Sequence, residues 1–122
     1  MNVRDAMAKT IGTAAPSDPV GRVAQIMRTE DCGFVPIVAG GDVVGVVTDR
    51  DIVIRGLAMG RADILDAPIE SIMTTTVFPI GPDADLADAA HVMAEHEVRR
   101  LPVMERGRLI GVLSYGNLEQ AL

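Results

Sequence analysis

The sequence predicts an α/β (α+β) fold in which one β-α-β-β-α unit is used twice, and three observations carry that prediction. Met7 recurs as Met73, and the same offset of 66 positions links Thr10 with Thr76, Pro16 with Pro82, Ala24 with Ala90, Met27 with Met93, Pro36 with Pro102, Gly41 with Gly107 and Gly45 with Gly111. Between these identities the apolar class is kept: Val35 with Leu101, Ile37 with Val103, Val47 with Leu113, Ile52 with Leu118. No gap breaks the register from residues 7–56 to residues 73–122. A fixed offset with matched glycines, prolines and apolar positions means one supersecondary unit repeated. Two such units are expected to pack as pseudo-twofold halves with equivalent ligand positions. Chemical differences between the halves then point to function.

Each half opens with a lead, Val3 to Met7 or Ile69 to Met73, and a brief extended stretch ending at Pro16 or Pro82. A helix follows, because Val20, Val23, Ala24 and Met27 recur at helical spacing, as do Leu86, Ala89, Ala90 and Met93. Asp83 or Asp85 can cap the second of these. Next comes a hairpin. Val35 to Val38 and Val43 to Val47 flank Gly40-Gly41, and Leu101 to Met104 and Leu109 to Leu113 flank Gly107. The hairpin ends in Thr48 or Ser114, and a second helix is expected to begin near Asp51 or Asn117. Residues 1–57 form the first repeat, 58–68 the linker and 69–122 the second, in one module spanning 1–122. The segment from Ile52 to Met59 is apolar nearly all round. A helix without a polar face is buried on more than one side, so a homodimer is expected through it.

Composition narrows the function. Aromatic residues are 2% of a chain that is 48% apolar, so the core must be Val, Ile, Ala, Leu and Met. The net charge of −6 argues against nucleic-acid binding, which needs a basic footprint. A single cysteine, Cys32, cannot form a disulfide within the chain and suits a reducing cytoplasm. Neither a signal peptide nor an 18-residue apolar run is present, so no membrane span is expected. His91 and His96 are five apart, off the helical spacing of metal ligands, and read as surface residues. No nucleophile with a matched base and no phosphate-cradling glycine loop appears, so no enzyme activity and no metal are expected.

The two Met-ending leads, the strands Val35-Pro36-Ile37-Val38 and Leu101-Pro102-Val103, and the run Gly45-Val46-Val47-Thr48-Asp49-Arg50-Asp51 together resemble a cystathionine-β-synthase (CBS) domain pair, or Bateman module. The resemblance covers nearly the whole chain, with no catalytic domain attached. It implies a freestanding regulatory pair that binds an adenosine-containing ligand in the cleft between repeats. AMP, ADP or ATP come first, with NAD or S-adenosylmethionine as further possibilities, and no cofactor is required. It also implies a homodimer and a regulated protein partner that the sequence does not name.

The resemblance makes Thr48, Asp49, Arg50 and Asp51 the ribose-phosphate motif, with Asp51 on the ribose and Thr48 on ribose or phosphate. An ionised carboxylate can accept from both vicinal ribose hydroxyls. Asp51 can equally be a helix cap, and the two roles are compatible. Gly45 allows close backbone approach. The opposing wall is then Thr74, Val77 and Phe78 around the base, with Val98, Arg99, Arg100 and Pro102 below it. Arg99 and Arg100 are either phosphate contacts or two solvated arginines flanking a strand. The reciprocal site would use Ser114 and Asn117 with Ile11, Gly12, Cys32, Gly33 and Phe34. Asn117 is neutral with one acceptor oxygen, and no arginine stands opposite, so this site should be the weaker. The alternative to a sensor is a dimerising interaction scaffold whose sites are vestigial.

Overall fold

Two tight turns fix the two hairpins. Gly40 and Gly41 have φ of 58° and 86°, and Arg106 and Gly107 have 52° and 78°. Positive φ at both central positions is the type I′ geometry that matches strand twist. In the computed structural model, which describes residues 1–9 and 11–121, the first turn joins β1 (Phe34–Ala39) to β2 (Asp42–Thr48). The second joins β3 (Arg100–Glu105) to β4 (Arg108–Ser114). Both pairs are antiparallel and both slip register at the same place, between Ile37 and Val38 and between Val103 and Met104. Thr10, of the Thr10–Thr76 correspondence, lies outside the described residues.

The extended stretch before each first helix does not become a strand. It makes one parallel bridge, Ala14 to Ile37 or Ile80 to Val103. Ala14 donates to the Pro36 carbonyl and accepts from Val38; Ile80 does the same with Pro102 and Met104. The next donor along the ladder would be Pro16 or Pro82, and proline has no N–H to give.

The apolar stripes behave as their spacing requires. Helix α1 (Val3–Ala6) is a single capped turn. Helix α2 (Val20–Glu30) buries Val20, Val23 and Met27, and α4 (Leu86–His96) buries Leu86, Ala89 and Met93. Each ends in a left-handed residue, Asp31 or Glu97. The N-termini differ from expectation: Asp85 holds the cap position of α4 without a side-chain bond, and Pro19 holds that of α2. The later helices start two residues earlier than expected, as α3 (Asp49–Asp51) and α5 (Tyr115–Ala121). After α3 the chain makes a π-helical turn over Ile52–Gly56 and a 3₁₀ turn over Leu57–Met59, then stops at Gly60.

The chain separates into two compact units, and these do not follow the repeats. One is residues 12–77; the other joins 1–11 to 78–122. Each holds the hairpin and long helix of one copy together with the lead of the other. In the first unit Ile69 and Ile72, from the second lead, are buried with Val35, Ile37 and Val47. Ile64 and Ala67, within the stretch read as a linker, join the same core. In the second unit Val3, from the first lead, packs with Leu101, Val103 and Leu113. Arg4 there donates to Glu105 at 2.7 Å, and that bond, with the carboxylate charge behind it, holds the guanidinium pKa above its ordinary value.

The glycine two residues into each conserved strand run is required by this arrangement. A Cβ on Gly45 would lie 2.7 Å from Met73 Sδ and 3.0 Å from the Thr74 carbonyl. One on Gly111 would lie 2.7 Å from the Ala8 carbonyl. The 2.7 Å approach to the Ala8 carbonyl is closer than a carbon can come, and a Cβ on Gly45 would force Met73 to move and crowd the Thr74 carbonyl. Gly45 thus admits the neighbouring lead, a close approach of the kind the sequence reading expected of it.

Candidate functional site

Thr48 ends β2 and caps α3. Its hydroxyl accepts from the Asp51 N–H at 3.1 Å, and the Asp51 carboxylate, through Oδ2, accepts from the Thr48 N–H at 2.9 Å. This is a reciprocal capping box, so Asp51 is the third helical residue and Thr48 the cap. Only one oxygen of Asp51 is used; Oδ1 has no hydrogen-bond partner among the described residues. The half-buried carboxylate therefore keeps an acceptor for something else.

Thr74 lies beside this motif. It bridges Val46, exchanging both backbone bonds at 2.9 and 2.8 Å. Val46 and Thr48 share one face of β2, because strand side chains alternate. Arg55, from the π-helical turn, donates to the Met73 carbonyl at 3.2 Å and more weakly to the Thr74 hydroxyl at 3.5 Å. Sequence reading missed this residue inside its apolar run. Asp49 donates its N–H to the Gly33 carbonyl at 3.0 Å, and a Cβ on Gly33 would meet the Asp49 carboxylate at 2.7 Å. Gly33 thus packs closely against the Thr48 motif within its own unit. Arg50 is exposed and Val77 half-buried. Cys32 is half-buried with its thiol 3.6 Å from the carbonyl of the buried Phe34.

The other unit repeats the cap with different chemistry. The Ser114 hydroxyl accepts from the Asn117 N–H at 3.0 Å, and Asn117 Oδ1 accepts from the Ser114 N–H at 3.2 Å. That uses the only side-chain oxygen Asn117 has, leaving its NH₂ to donate. Arg99 takes the Tyr115 N–H on its carbonyl at 2.7 Å and sets its guanidinium 4.8 Å from the centre of the Tyr115 ring. Arg100 pairs Ser114 across the β3–β4 ladder. Phe78 stacks on His96, with centroids 3.8 Å apart and planes 12° from parallel. The exposed His96 thus has a partner that its sequence position did not suggest. Val98 is half-buried; Pro102 is buried, its carbonyl taking the Ile80 N–H. Ile11 falls in this unit and Gly12 in the other.

The candidate residues therefore form two groups. Thr48, Asp49, Asp51, Gly33 and Thr74 are tied together in one unit, and Arg99, Arg100, Phe78, Ser114 and Asn117 lie in the other. Among the described residues no three His, Cys, Asp or Glu side chains gather as a metal site needs. No described helix is long and apolar enough to cross a membrane.

Comparison with known proteins agrees with the doubled architecture. The CBS domain family model matches residues 3–57 and 69–122. The CBS domain-containing protein YhcV of Bacillus subtilis is 33% identical over 117 residues, covering 96% of this chain and 82% of YhcV. The crystal structure of Hypoxic Response Protein I with two coordinated zinc ions matches at a TM-score of 0.87 and 32% identity, over 100% of this chain and 99% of that one. The CBS domain pair of protein MJ0100, in complex with 5′-methylthioadenosine and S-adenosyl-L-methionine, matches at 0.88 and 25% identity, over 99% of this chain and 94% of that one. With two repeats that each fit the family model and a fold shared end to end with solved pairs, the chain belongs to the CBS domain family, as a tandem pair that forms a regulatory module.

Proposed function

We propose that this pair is a non-enzymatic sensor that binds an adenosine-containing ligand, AMP, ADP or ATP before NAD or S-adenosylmethionine. The observation that carries the reading is the spare oxygen of Asp51. The capping box uses Oδ2 and leaves a charged acceptor beside Thr48 and Thr74, suited to ribose hydroxyls. Asn117 has no second, charged oxygen to offer, so that half is the poorer ribose site. The adenosine compounds bound by MJ0100 support the class of ligand. Val77 and Phe78 are assigned to the base, and Arg99 and Arg100 to the phosphates. Binding favours one of two conformations of the pair by differential affinity, and a protein partner reads the change. Titration calorimetry with AMP, ATP, NAD, S-adenosylmethionine and adenosine tests this; heat from none of them rejects it.

Arg100→Ala tests the phosphate assignment. It is expected to weaken AMP and ATP several-fold more than adenosine, since only phosphates meet a guanidinium. An equal loss for all three would assign Arg100 to the fold.

We further propose that the protein is a homodimer through the turns after α3. Ile54 is 50% exposed and Leu57 57%, and Val53 and Met59 are exposed beside them. Contiguous apolar surface of this kind marks a contact. Ile54→Asp or Leu57→Asp should give monomer or aggregate by light scattering. A wild-type mass of one chain at micromolar concentration rules the dimer out. A dimer that gave no heat with any adenosine compound would favour the scaffold reading.

A further inference from the structure

We infer that Arg55 is a further phosphate-binding residue, on the Thr48–Asp51 face, which favours a phosphorylated adenosine compound over an uncharged one. The inference rests on the adenosine reading above and names the charge that reading requires.

The four residues involved form a closed circuit within residues 12–77. Asp51 is bonded twice to Thr48. Thr48 lies two residues along β2 from Val46, which bridges Thr74. Thr74 receives Arg55, and Arg55 follows Asp51 by four residues in the chain. Two residues of strand span about 7 Å, the scale of a ribose phosphate. One end of this patch carries the free oxygen of Asp51 and the other a guanidinium.

Arg55 is held but not neutralised. Its Nη1 is anchored on the Met73 carbonyl, which is neutral. No carboxylate lies within ion-pair distance of it among the described residues, although the chain has 17 acidic side chains. Three of its nitrogen-bound hydrogens at least stay available, in a planar fork that suits phosphate oxygens. Its guanidinium is turned onto the backbone next to Thr74.

The second copy lacks the whole set. At the offset of 66, Asp51, Arg55 and Thr74 correspond to Asn117, Ala121 and Ala8. The acceptor, the cation and the hydroxyl disappear together, as members of one site would. The fold needs none of the three, since the second unit forms the same capped helix and the same bridge, Ala8 to Val112, without them.

The test compares wild type, Arg55→Ala and Arg55→Gln by calorimetry with AMP and with adenosine. Glutamine keeps a donor for the Met73 carbonyl and removes only the charge. Both variants are expected to lose about tenfold or more in AMP affinity while adenosine affinity stays near wild type, which also shows that they are folded. The salt dependence of AMP binding should flatten in both. AMP affinity unchanged in Arg55→Gln, or AMP and adenosine weakened equally, overturns the assignment and leaves the adenosine reading standing. Wild-type protein that binds neither compound overturns both.

Discussion

Asp51→Asn is expected to lower AMP affinity about ten- to hundredfold while barely changing stability. The two effects separate because the carboxylate does two jobs with two atoms. Oδ2 closes the capping box with the Thr48 N–H, and an asparagine oxygen can do the same, as Asn117 does for Ser114. Oδ1 is the atom left for the ribose, and asparagine replaces it with a neutral donor. Hydrogen bonds to a charged group contribute about 1.5–3 kcal/mol, which sets the expected range. Asp51→Ala is the less informative variant, because it also removes a cap contribution of about 0.5–2 kcal/mol. Asn117→Ala should disturb stability comparably and ligand affinity far less. Calorimetry and thermal melting on the same samples decide it. Full AMP affinity in Asp51→Asn would mean that Asp51 is a cap and nothing more.

Ile69→Ala is expected to destabilise the protein by about 2–5 kcal/mol, the usual range for emptying a filled core site. Ile69 is fully buried against Val35, Ile37 and Val47. The location of the damage is the sharper readout. Ile69 belongs to the second copy by sequence but packs in the core of the first hairpin. Hydrogen exchange should therefore speed up first in β1 and β2, with β3 and β4 protected for longer. The reverse order would mean that the lead packs on its own copy after all.

That exchange of leads marks the boundary of what the sequence could say. Hairpins were legible because Gly40-Gly41 and Gly107 suit positive φ and short runs rich in Val, Ile and Leu flank them. Helices α2 and α4 were legible because an apolar stripe of period 3.6 has one interpretation. Periodicity reveals which face of an element is buried but not which partner buries it, so the move of Ile69 and Val3 into the opposite cores left no local trace. The same holds for Gly33, which aligns with Arg99 and was grouped by that alignment, although it packs under Asp49. Other misses had a signal that could have been read. Pro16 and Pro82 forbid a continuing ladder. Thr48 and Asp51, at capping-box spacing, already placed the cap at Thr48. Arg55 looked like a lone charge in an apolar run, yet its counterpart, Ala121, breaks the match between copies as plainly as Asn117 does.

The order in which the ribosome delivers this chain now matters. Residues 12–77 are contiguous, so their core can close while the rest is still being made. The other unit cannot. Residues 1–11 emerge before 12–77 and must wait for 78–122 before Val3 finds Leu101, Val103 and Leu113. Contacts between segments so far apart are slow to form from an open chain, because loop closure precedes any gain from packing. A folded 12–77 holds its two ends at a fixed separation and shortens that search. The half with the Thr48–Asp51 motif is then complete first, before the Ser114–Asn117 half has all its segments.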